Sequence, residues 1–449
     1  MNTRGRMPRI LCVNPWIHDF AAYDVWATPL GLLILAALLR GKGFRVSYID
    51  CLSRFHPRAT PKTCASKHGR GPYMKTRLPM PPGLAGTMRR YSRYGIPPEW
   101  FRKDLESAGK PDLVLVTSMM TYWAGGVRET IAHIRALWPD VPIVLGGIYA
   151  TLFTEHARTF SGADRVVEGP GEKVLFDLVE EFTGVHTPMD RDLSHPDHLP
   201  YPALDLQHAI AHAPILTGQG CPNRCAYCAS GYLSPGFVRR SPEKVVEEIL
   251  FWKNRFGVRD FAFYDDALLT SADSHAKPIF QGLVDQKAGV RLHTPNALHA
   301  RYIDDDLAVL MKQAGFHTLR LGVETADFPR RKDLDRKISE QDFIRAVTSL
   351  KRAGFTKQQI GAYLLVGLPG QTLAEAEHSI DQVLAAGISP VLTFYTPIPH
   401  TVLWDQALRH SPYPLAQDPV YTNNSLWPCR EQGFSWNDMT ALKHRALSG

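Results

Sequence analysis

Three cysteines lie within eight residues near the middle of the 449-residue chain, at Cys221, Cys225 and Cys228. Their C-x3-C-x2-C spacing predicts a metal site, because soft thiolate ligands select iron–sulfur clusters, zinc or Cu(I). A structural zinc site is closed by four ligands, and no fourth Cys or His follows within the next thirty residues. The spacing therefore predicts a site that is one ligand short. A zinc-ribbon fragment and three unrelated core cysteines are the simpler alternatives.

With Tyr227 directly before the last cysteine, this run resembles the signature of the radical S-adenosylmethionine (SAM) superfamily. The resemblance implies a 4Fe-4S cluster bound by the three cysteines, with one iron left to bind SAM. Electron transfer from the cluster cleaves SAM and starts radical chemistry, so the cofactor supplies the reactivity and the protein positions it. The resemblance also implies an external electron donor such as flavodoxin or ferredoxin.

The sequence around the cysteines predicts a partial (β/α)6 barrel, because strand and helix patterns alternate from 213 to 402. Active groups in such barrels lie at the carboxyl ends of the strands. The expected strands are 214–217, 260–264, 290–294, 318–323, 361–366 and 391–395. The segments at these strand ends resemble, in order, the SAM-contact segments of the superfamily.

On that resemblance we expect SAM to contact Tyr227, Asp265, Asp266, Asn296, Glu324 and Gly367. The adjacent carboxylates of Asp265 and Asp266 could accept hydrogen bonds from the SAM amine or ribose, although a helix N-cap would explain one of them. The sequence indicates no residue with a catalytic role.

The N-terminal part, 9–182, alternates in the same way and predicts a doubly wound, Rossmann-like parallel sheet. Ligands of such sheets bind beyond the carboxyl ends of the strands. The residues expected at those ends are Asn14, Thr117, Ser118, Gly146 and Gly147. Glycines there allow close approach of a large cofactor, although a tight turn explains any one of them equally well.

Short motifs of this part resemble the cobalamin-binding domain of one class of radical SAM proteins. They are Asn14-Pro15, Pro29-Leu30-Gly31-Leu32, Gly146-Gly147 and Gly169-Pro170-Gly171-Glu172. The resemblance implies that the five residues at the strand ends bind cobalamin. Because the chain has no Asp-x-His-x-x-Gly motif, it offers no residue that can be named as an axial ligand.

Charge is concentrated between Arg54 and Lys103, where twelve Lys or Arg residues and eight prolines accompany one acid, Glu99. We predict an irregular basic insertion, which is either a cationic flap for an anionic partner or a solvated surface. We expect nucleic acid not to be the partner, since no recognisable RNA-binding module follows the barrel.

Composition predicts a cytoplasmic globular protein with no transmembrane segment. Hydrophobic residues make up 44% and charged residues 21% of the chain. The longest apolar run, 30–39, is about half the roughly 20 residues that a membrane span requires. Seven cysteines, an odd number, do not indicate a disulfide framework.

We divide the chain into a Rossmann-like domain at 1–183 with the insertion at 54–103, a linker at 184–212, a radical SAM core at 213–402 and a closing segment at 403–449. The leading hypothesis is a radical SAM enzyme that depends on cobalamin and methylates or rearranges an unknown substrate. One alternative is a tRNA-type methylthiotransferase, for which Cys12, Cys51 and Cys64 superficially offer three further ligands. The other alternative is a non-catalytic iron–sulfur protein. Simple electron carriers, however, bind their cluster through four ligands, and this loop offers three.

Overall fold

The computed structural model of the chain contains two compact units. Unit 1 comprises Met1–Ala211 and Leu415–Leu426, and unit 2 comprises His212–Pro414 and Trp427–Gly449. The structure describes residues 6–60, 64, 66–87, 89–188, 192–193, 195–329, 331, 334–431 and 434–448. Within these residues no helix is long and apolar enough to cross a membrane.

Unit 1 has a parallel sheet of five strands and a second, antiparallel sheet of three. In chain order its elements are β1 (Arg9–Asn14), β2 (Ile17–Asp19), α1 (Leu30–Gly41), β3 (Arg45–Asp50), β4 (Lys75–Arg77), β5 (Ser92–Tyr94), α2 (Pro98–Ala108), β6 (Leu113–Val116), α3 (Ala124–Leu137), β7 (Ile143–Leu145), α4 (Ile148–Leu152), α5 (Thr154–Phe160), β8 (Arg165–Val166) and α6 (Leu175–Thr183).

The parallel sheet has the strand order β3-β1-β6-β7-β8, which confirms the predicted Rossmann-like fold. Its central strands are apolar on both faces; all four residues of β6 are buried. Helices α1 and α6 cover one face, where Leu39 and Val179 pack in one cluster with Ile10 and Leu115. Such continuous apolar runs are typical of a sheet that is buried on both sides.

The basic insertion is more regular than predicted. Strand β5 is the centre of the antiparallel sheet and pairs with both β2 and β4, and α2 begins within the insertion at Pro98. The sequence pattern did not predict β4, because all three of its residues are exposed, and apolar and polar residues do not alternate along it. Part of the positive charge is also neutralised by acids outside the insertion, since Arg54 pairs with Asp24 and Arg93 pairs with Glu129.

Two other predicted boundaries differ from those in the structure. The segment expected as a linker packs onto unit 1, where Leu193 and Ala203 lie in the same core cluster as the sheet. The expected closing segment is divided between the units, with 415–426 in unit 1. There Asn423 Nδ2 donates to Asp19 Oδ1 over 2.9 Å, a contact between residues 404 positions apart that no local pattern indicates.

Unit 2 has a parallel sheet of six strands and a short hairpin. Its elements are β9 (Ala213–Ile215), β10 (Gly218–Gly220), α7 (Ser230–Leu233), β11 (Phe237–Arg239), α8 (Pro242–Phe256), β12 (Asp260–Phe263), α9 (Ala276–Asp285), β13 (Arg291–His293), α10 (Asp305–Ala314), β14 (Phe316–Glu324), α11 (Glu340–Arg352), β15 (Ile360–Val366), α12 (Leu373–Ala385), β16 (Ser389–Phe394), α13 (Trp404–His410) and α14 (Trp436–Leu447).

The six strands follow the order β16-β15-β14-β13-β12-β9, with every neighbouring pair parallel. Strands β9 and β16 are the two edges, so the sheet has the open, six-strand arrangement that the sequence predicted. A helix follows each of these strands, and the sheet therefore presents all its carboxyl ends along one edge.

Close backbone packing in unit 1 gives a stability test at Gly126, in the first turn of α3. A Cβ there would lie 1.9 Å from the carbonyl oxygen of Trp16, which is backbone and cannot rotate away. We expect Gly126→Ala to lower the free energy of unfolding by about 1–3 kcal/mol, the usual cost of overpacking. Gly41→Ala, at an open position at the end of α1, should be neutral or stabilising. Chemical denaturation of both variants measures this, and equal stability would contradict it.

Candidate functional site

The cysteine loop of unit 2 directly follows β10, within the connection between the paired strands β10 and β11. Gly220 precedes Cys221 with a φ of +80°, and a Cβ on it would lie 2.0 Å from the carbonyl oxygen of Gly236. Only glycine fits this left-handed position against the facing strand. The hairpin therefore fixes the direction in which the loop leaves the sheet.

The middle of the loop is held from both sides by backbone hydrogen bonds. Ala226 N donates to Leu334 O over 2.7 Å, and Leu403 N donates to Ala226 O over 3.0 Å. Leu334 follows β14 and Leu403 follows β16, so two distant connections position the residue between Cys225 and Tyr227. The loop is thus organised by tertiary contacts as well as by its own sequence.

The three thiols have the chemistry of cluster ligands. None is in a disulfide. Asn223 Nδ2 lies 3.7 Å from Cys221 Sγ, and Ser230 N lies 3.4 Å from Cys228 Sγ. These two sulfurs therefore each have a hydrogen-bond donor of the kind that tunes iron–sulfur clusters. Burial raises the pKa of Cys225 to about 11, although the Lys337 charge lowers it. Binding to iron must therefore release a proton.

No three His, Cys, Asp or Glu side chains among the described residues are grouped so as to bind a single metal ion. In a 4Fe-4S cluster each cysteine binds a different iron atom, so its sulfurs do not converge on one point as the ligands of a zinc ion do. Three thiols on one loop therefore suit a cluster.

Asp265 holds the turn that leads into this loop. Its buried carboxylate accepts hydrogen bonds from Thr217 Oγ1 at 2.6 Å, from Thr217 N and from Gly218 N at 2.8 Å. Burial raises its pKa to about 6, against the lowering effect of these bonds. The structure thus shows a positioning role for Asp265 between β9 and β10, whereas its expected contact with SAM stays a prediction.

The two neighbouring candidates differ from Asp265 in their surroundings. Asp266 is exposed, and Ser230 of the cysteine loop donates a hydrogen bond to it. Its negative charge also contributes to the raised pKa of Cys221, for which burial is the main cause. Asn296 Nδ2 donates to Tyr264 O over 2.7 Å and so joins the ends of β12 and β13. Asp266 is therefore the carboxylate of the pair that is open to a ligand.

Glu324 ends β14 in a buried charge network. Its φ of +59° is rare for a residue with a side chain, and its Oε1 accepts a hydrogen bond from Lys337 Nζ at 2.6 Å. Lys337 Nζ also donates to Tyr227 OH over 2.8 Å, and Tyr227 OH donates to Asp335. Burial acts to lower the pKa of Lys337, but the charges of Glu324 and Asp335 outweigh it and the pKa is raised. Lys337 is thus cationic at neutral pH.

Gly322 makes this pair sterically feasible. A Cβ on it would lie 3.0 Å from Lys337 Nζ and 3.2 Å from Glu324 Oε1. The glycine in Leu321-Gly322-Val323-Glu324 therefore leaves room for a buried ion pair. The network links the strand end to the aromatic residue of the cysteine loop.

Gly367 contacts an indole ring. With a φ of +84°, it lies where a Cβ would be 1.8 Å from Trp427 Nε1. Gln371 Oε1 accepts a hydrogen bond from Gly367 N at 2.7 Å, which closes the turn after β15. The expected contact of Gly367 with SAM stays a prediction, and the observed reason for the glycine is the packing of Trp427.

Unit 1 has a cleft of about 220 Å³ at the carboxyl ends of its parallel strands. Thr117, Gly146 and Gly147 line it, as expected, together with apolar residues of α1 and α6. A Cβ on Gly146 would have no heavy atom within 4 Å, and the same holds for Gly31 and Gly169. These glycines border open space that side chains would occupy, which fits a large cofactor inserted between the sheet and the helices.

The other two candidates of unit 1 are engaged within the protein. Asn14 is buried, and its Nδ2 donates to Asp50 Oδ1 over 2.8 Å, which joins the ends of β1 and β3. Ser118 Oγ donates to Gly146 O over 2.7 Å and joins β6 to β7. Neither lines the cleft, so both support its walls and their contact with cobalamin stays a prediction.

The cysteines considered for a second cluster lie in different surroundings. Cys12 and Cys51 are completely buried, and burial raises the pKa of each thiol, to about 12 for Cys12. Cys64 Sγ donates to Arg54 O over 3.2 Å. Cys12 belongs to the apolar core beside α1 and α6, a packing role that needs no metal.

Sequence reasoning missed Lys337, Asp335 and Trp427. The first two lie in the charged run 330–337, which contains both signs of charge and so resembles a solvated surface. Its only local signal was the i,i+4 spacing of Arg331 and Asp335, whose side chains form an ion pair at 2.8 Å. Trp427 gave no signal, because its partner Gly367 lies 60 residues earlier in the chain.

Two family models match the chain. The model of the radical SAM superfamily matches residues 215–383, and the model of the B12 binding domain matches residues 91–179. The first range contains the cysteine loop, four of the six parallel strands of unit 2 (β12 to β15) and the last residue of β9. The second contains most of the lining of the cleft in unit 1.

Known proteins resemble the chain over much of its length. An uncharacterized methyltransferase of Pyrococcus horikoshii is 26% identical over 334 residues, 67% of this chain and 70% of that protein. The cytidylyl-2-hydroxyethylphosphonate methyltransferase of Streptomyces wedmorensis is 21% identical over 96% of this chain and 83% of its own. The structure of the radical SAM methyltransferase TsrM from Kitasatospora setae, with cobalamin and a [4Fe-4S] cluster bound, superposes with a TM-score of 0.65 at 19% identity, covering 91% of this chain and 76% of that one.

Mutation can distinguish the structural role of Asp265 from the expected SAM-binding role of Asp266. Asp265→Asn replaces an acceptor of several hydrogen bonds with an amide that mismatches them, so we expect about 1–3 kcal/mol lower stability and reduced iron content after reconstitution. Asp266→Asn should keep full iron content and weaken SAM binding. Iron analysis and equilibrium dialysis with SAM test both. Full iron in Asp265→Asn together with lost SAM binding would reverse the two assignments.

The two glycines after β7 should respond differently to substitution. Gly146→Leu projects into the open cleft, so we expect bound cobalamin to fall at least about tenfold, with unit 1 folded as in the wild type. Gly147 has a φ of +95°, and its Cβ would lie 2.3 Å from Ser118 O, so Gly147→Ala should destabilise unit 1 itself. The visible spectrum after incubation with hydroxocobalamin and desalting measures binding, with Gly41→Ala as control. Unchanged cobalamin binding in Gly146→Leu would remove the cleft as the site.

Proposed function

This chain belongs to the radical SAM superfamily and carries a B12 binding domain, and on that basis we propose that it is a cobalamin-dependent radical SAM methyltransferase. The cofactors that its two domains imply are a 4Fe-4S cluster, SAM and cobalamin. Both curated relatives described above are named methyltransferases, and they match two thirds or more of the chain. The methyl acceptor is an unknown substrate.

The observation that carries the proposal is a cysteine loop with three unpaired thiols at the carboxyl end of a six-strand parallel sheet, in a chain that also has a glycine-bordered cleft in unit 1. When bound, the cluster supplies the electron that cleaves SAM, and cobalamin supplies a transferable methyl group. A chain with only the loop would suit SAM cleavage without a methyl carrier. The cleft is what favours cobalamin.

The chain's own residues have distinct tasks in this proposal. Cys221, Cys225 and Cys228 bind the cluster, and Asp265 holds the turn before them. Asp266 and Glu324 are the proposed carboxylate contacts of SAM, and the hydrogen bond from Lys337 Nζ orients the Glu324 carboxylate. Because Lys337 is itself buried and charged, loss of Glu324 would leave an unpaired cation at a cost of about 3–5 kcal/mol.

A methylthiotransferase would need a second cluster bound by Cys12, Cys51 and Cys64. Two of these thiols lie in the closed interior of unit 1, where an inserted cluster would have to displace core side chains. We therefore favour methyl transfer, with carbon–carbon bond rearrangement as the other outcome open to this architecture. We also propose a reducing cytoplasmic location and a flavodoxin or ferredoxin as electron donor, since all seven cysteines are free.

Anaerobic reconstitution with iron, sulfide and hydroxocobalamin tests the proposal. We expect about four irons and one cobalamin per chain, and release of 5′-deoxyadenosine or S-adenosylhomocysteine from SAM on reduction. Replacing any one of Cys221, Cys225 and Cys228 with Ala should abolish the cluster and SAM turnover.

Cys429→Ala, at a buried thiol of unit 2, is the matched control and should keep full iron content. About eight irons per chain would favour the methylthiotransferase. SAM cleavage without any cobalamin binding would overturn the methyl-transfer proposal.

A further inference from the structure

Unit 1 contains a second cavity, of about 300 Å³, that shares no lining residue with the cofactor cleft. Its walls come from the basic insertion, the start of α3, the α4–α5 region and the 415–426 segment, all of them parts of unit 1. The volume is at the lower end of the range for small-molecule sites. The cavity is thus a candidate binding site with a lining separate from that of the proposed cobalamin cleft.

The cavity has one cation and one anion that do not pair with each other. Arg128, on α3, forms no hydrogen bond or ion pair with any residue that the structure describes. Asp418 accepts one hydrogen bond, from Val420 N to its Oδ1 at 2.9 Å, and its second oxygen has no partner among the described residues. Two opposite charges that line one cavity without meeting leave room for a ligand between them.

Arg128 and Asp418 both affect the pKa of two tyrosines that line the cavity. Burial is the main cause of the raised pKa of Tyr91 and of Tyr149, but Asp418 raises and Arg128 lowers the pKa of each phenol. Arg128 and Asp418 therefore both act on the same two phenols in the lining of this cavity.

Three other polar side chains at the cavity, those of His18, Tyr149 and His156, already have partners. His18 Nε2 lies 2.5 Å from Glu129 Oε2, and Glu129 also pairs with Arg93. Tyr149 OH lies 2.7 Å from His156 Nδ1, and burial lowers the pKa of His156, so this imidazole is neutral at pH 7. Arg128 and Asp418 are therefore the charges left for a ligand.

Apolar side chains form the rest of the lining. They include Leu78, Met80, Pro81, Phe160 and Val420. A ligand that satisfies both charges and this surface needs an anionic group, a cationic group and an apolar body within one small molecule. A guanidinium binds a carboxylate through two parallel hydrogen bonds, and a carboxylate binds an ammonium group.

We propose that this cavity binds a free apolar amino acid, with its carboxylate on Arg128, its ammonium group on Asp418 and its side chain against the Met80 and Phe160 wall. A molecule with only one of the two charges makes only one of the two charge-assisted contacts, so the cavity should favour the zwitterion.

Titration calorimetry on the full chain tests this with L-phenylalanine and L-leucine as probes. Phenethylamine and 3-phenylpropanoate each keep one of the charges of phenylalanine. We expect at least one amino acid to bind at micromolar to millimolar concentration, and we expect both single-charge analogues to bind at least about tenfold more weakly than phenylalanine.

Matched variants separate the site from general effects on folding. Arg128→Gln and Asp418→Asn should each weaken amino-acid binding at least about tenfold. Asn keeps the capping hydrogen bond to Val420 N, so Asp418→Asn should fold normally. Arg102→Gln, at an exposed arginine of α2 that pairs with Glu106, is the control and should bind as the wild type does.

Each outcome decides the proposal. It is overturned if neither amino acid binds at millimolar concentration, if an analogue binds as tightly as phenylalanine, or if Arg128→Gln and Asp418→Asn bind like Arg102→Gln. Iron content, cobalamin content and SAM cleavage are measured on the same samples. If amino-acid binding is absent while iron content, cobalamin content and SAM cleavage are normal, the amino-acid proposal fails and the proposed enzymatic function stands. If amino-acid binding is present while SAM cleavage or cobalamin binding is absent, the proposed function fails and the amino-acid site stands.

Discussion

A single buried carboxylate connects the sheet of unit 2 to its cysteine loop. Asp265 lies just beyond β12, and its two oxygens accept hydrogen bonds from the turn between β9 and β10. A buried carboxylate is costly unless its oxygens are satisfied, so the turn and the acid fix each other. Because the cysteines follow this turn directly, their position depends on it. The adjacent Asp266 has few protein partners and is left for a ligand.

A buried ion pair organises the opposite side of the same loop. Lys337 donates to both Glu324 and Tyr227, and the left-handed conformation of Glu324 aims its carboxylate at this cation. Unfavourable backbone conformations persist where surrounding contacts over-determine them, and they concentrate at functional sites. Gly322 gives the steric room for the pair. The loop is therefore held by a carboxylate at its start and by a charge network at its aromatic residue.

Unit 1 contains two cavities whose linings differ in chemistry. The cleft at the carboxyl ends of the parallel strands is bordered by glycines and apolar side chains, which suits a large ligand that inserts between layers. The second cavity is small and carries one charge of each sign. Several basic residues of the insertion form ion pairs within unit 1, such as Arg54 with Asp24. Only charges without such a partner are available to bind a ligand.

The sequence by itself determined the spacing of the three cysteines, the order of the strands along the chain and the two domain types. Those features depend on local spacing and on apolar runs; the strands expected at 260–264 and 361–366 agree within one residue with β12 and β15. Only the tertiary structure decided that Asp265 supports a turn, that Lys337 is a buried partner of Glu324 and that Trp427 packs on Gly367. Each of these depends on a contact between residues far apart in the chain or on whether a charged residue is buried, and neither is encoded in local periodicity. For the same reason the exposed strand β4 and the return of 415–426 to unit 1 had no sequence signal, since their stability comes from the distant partners they pair with.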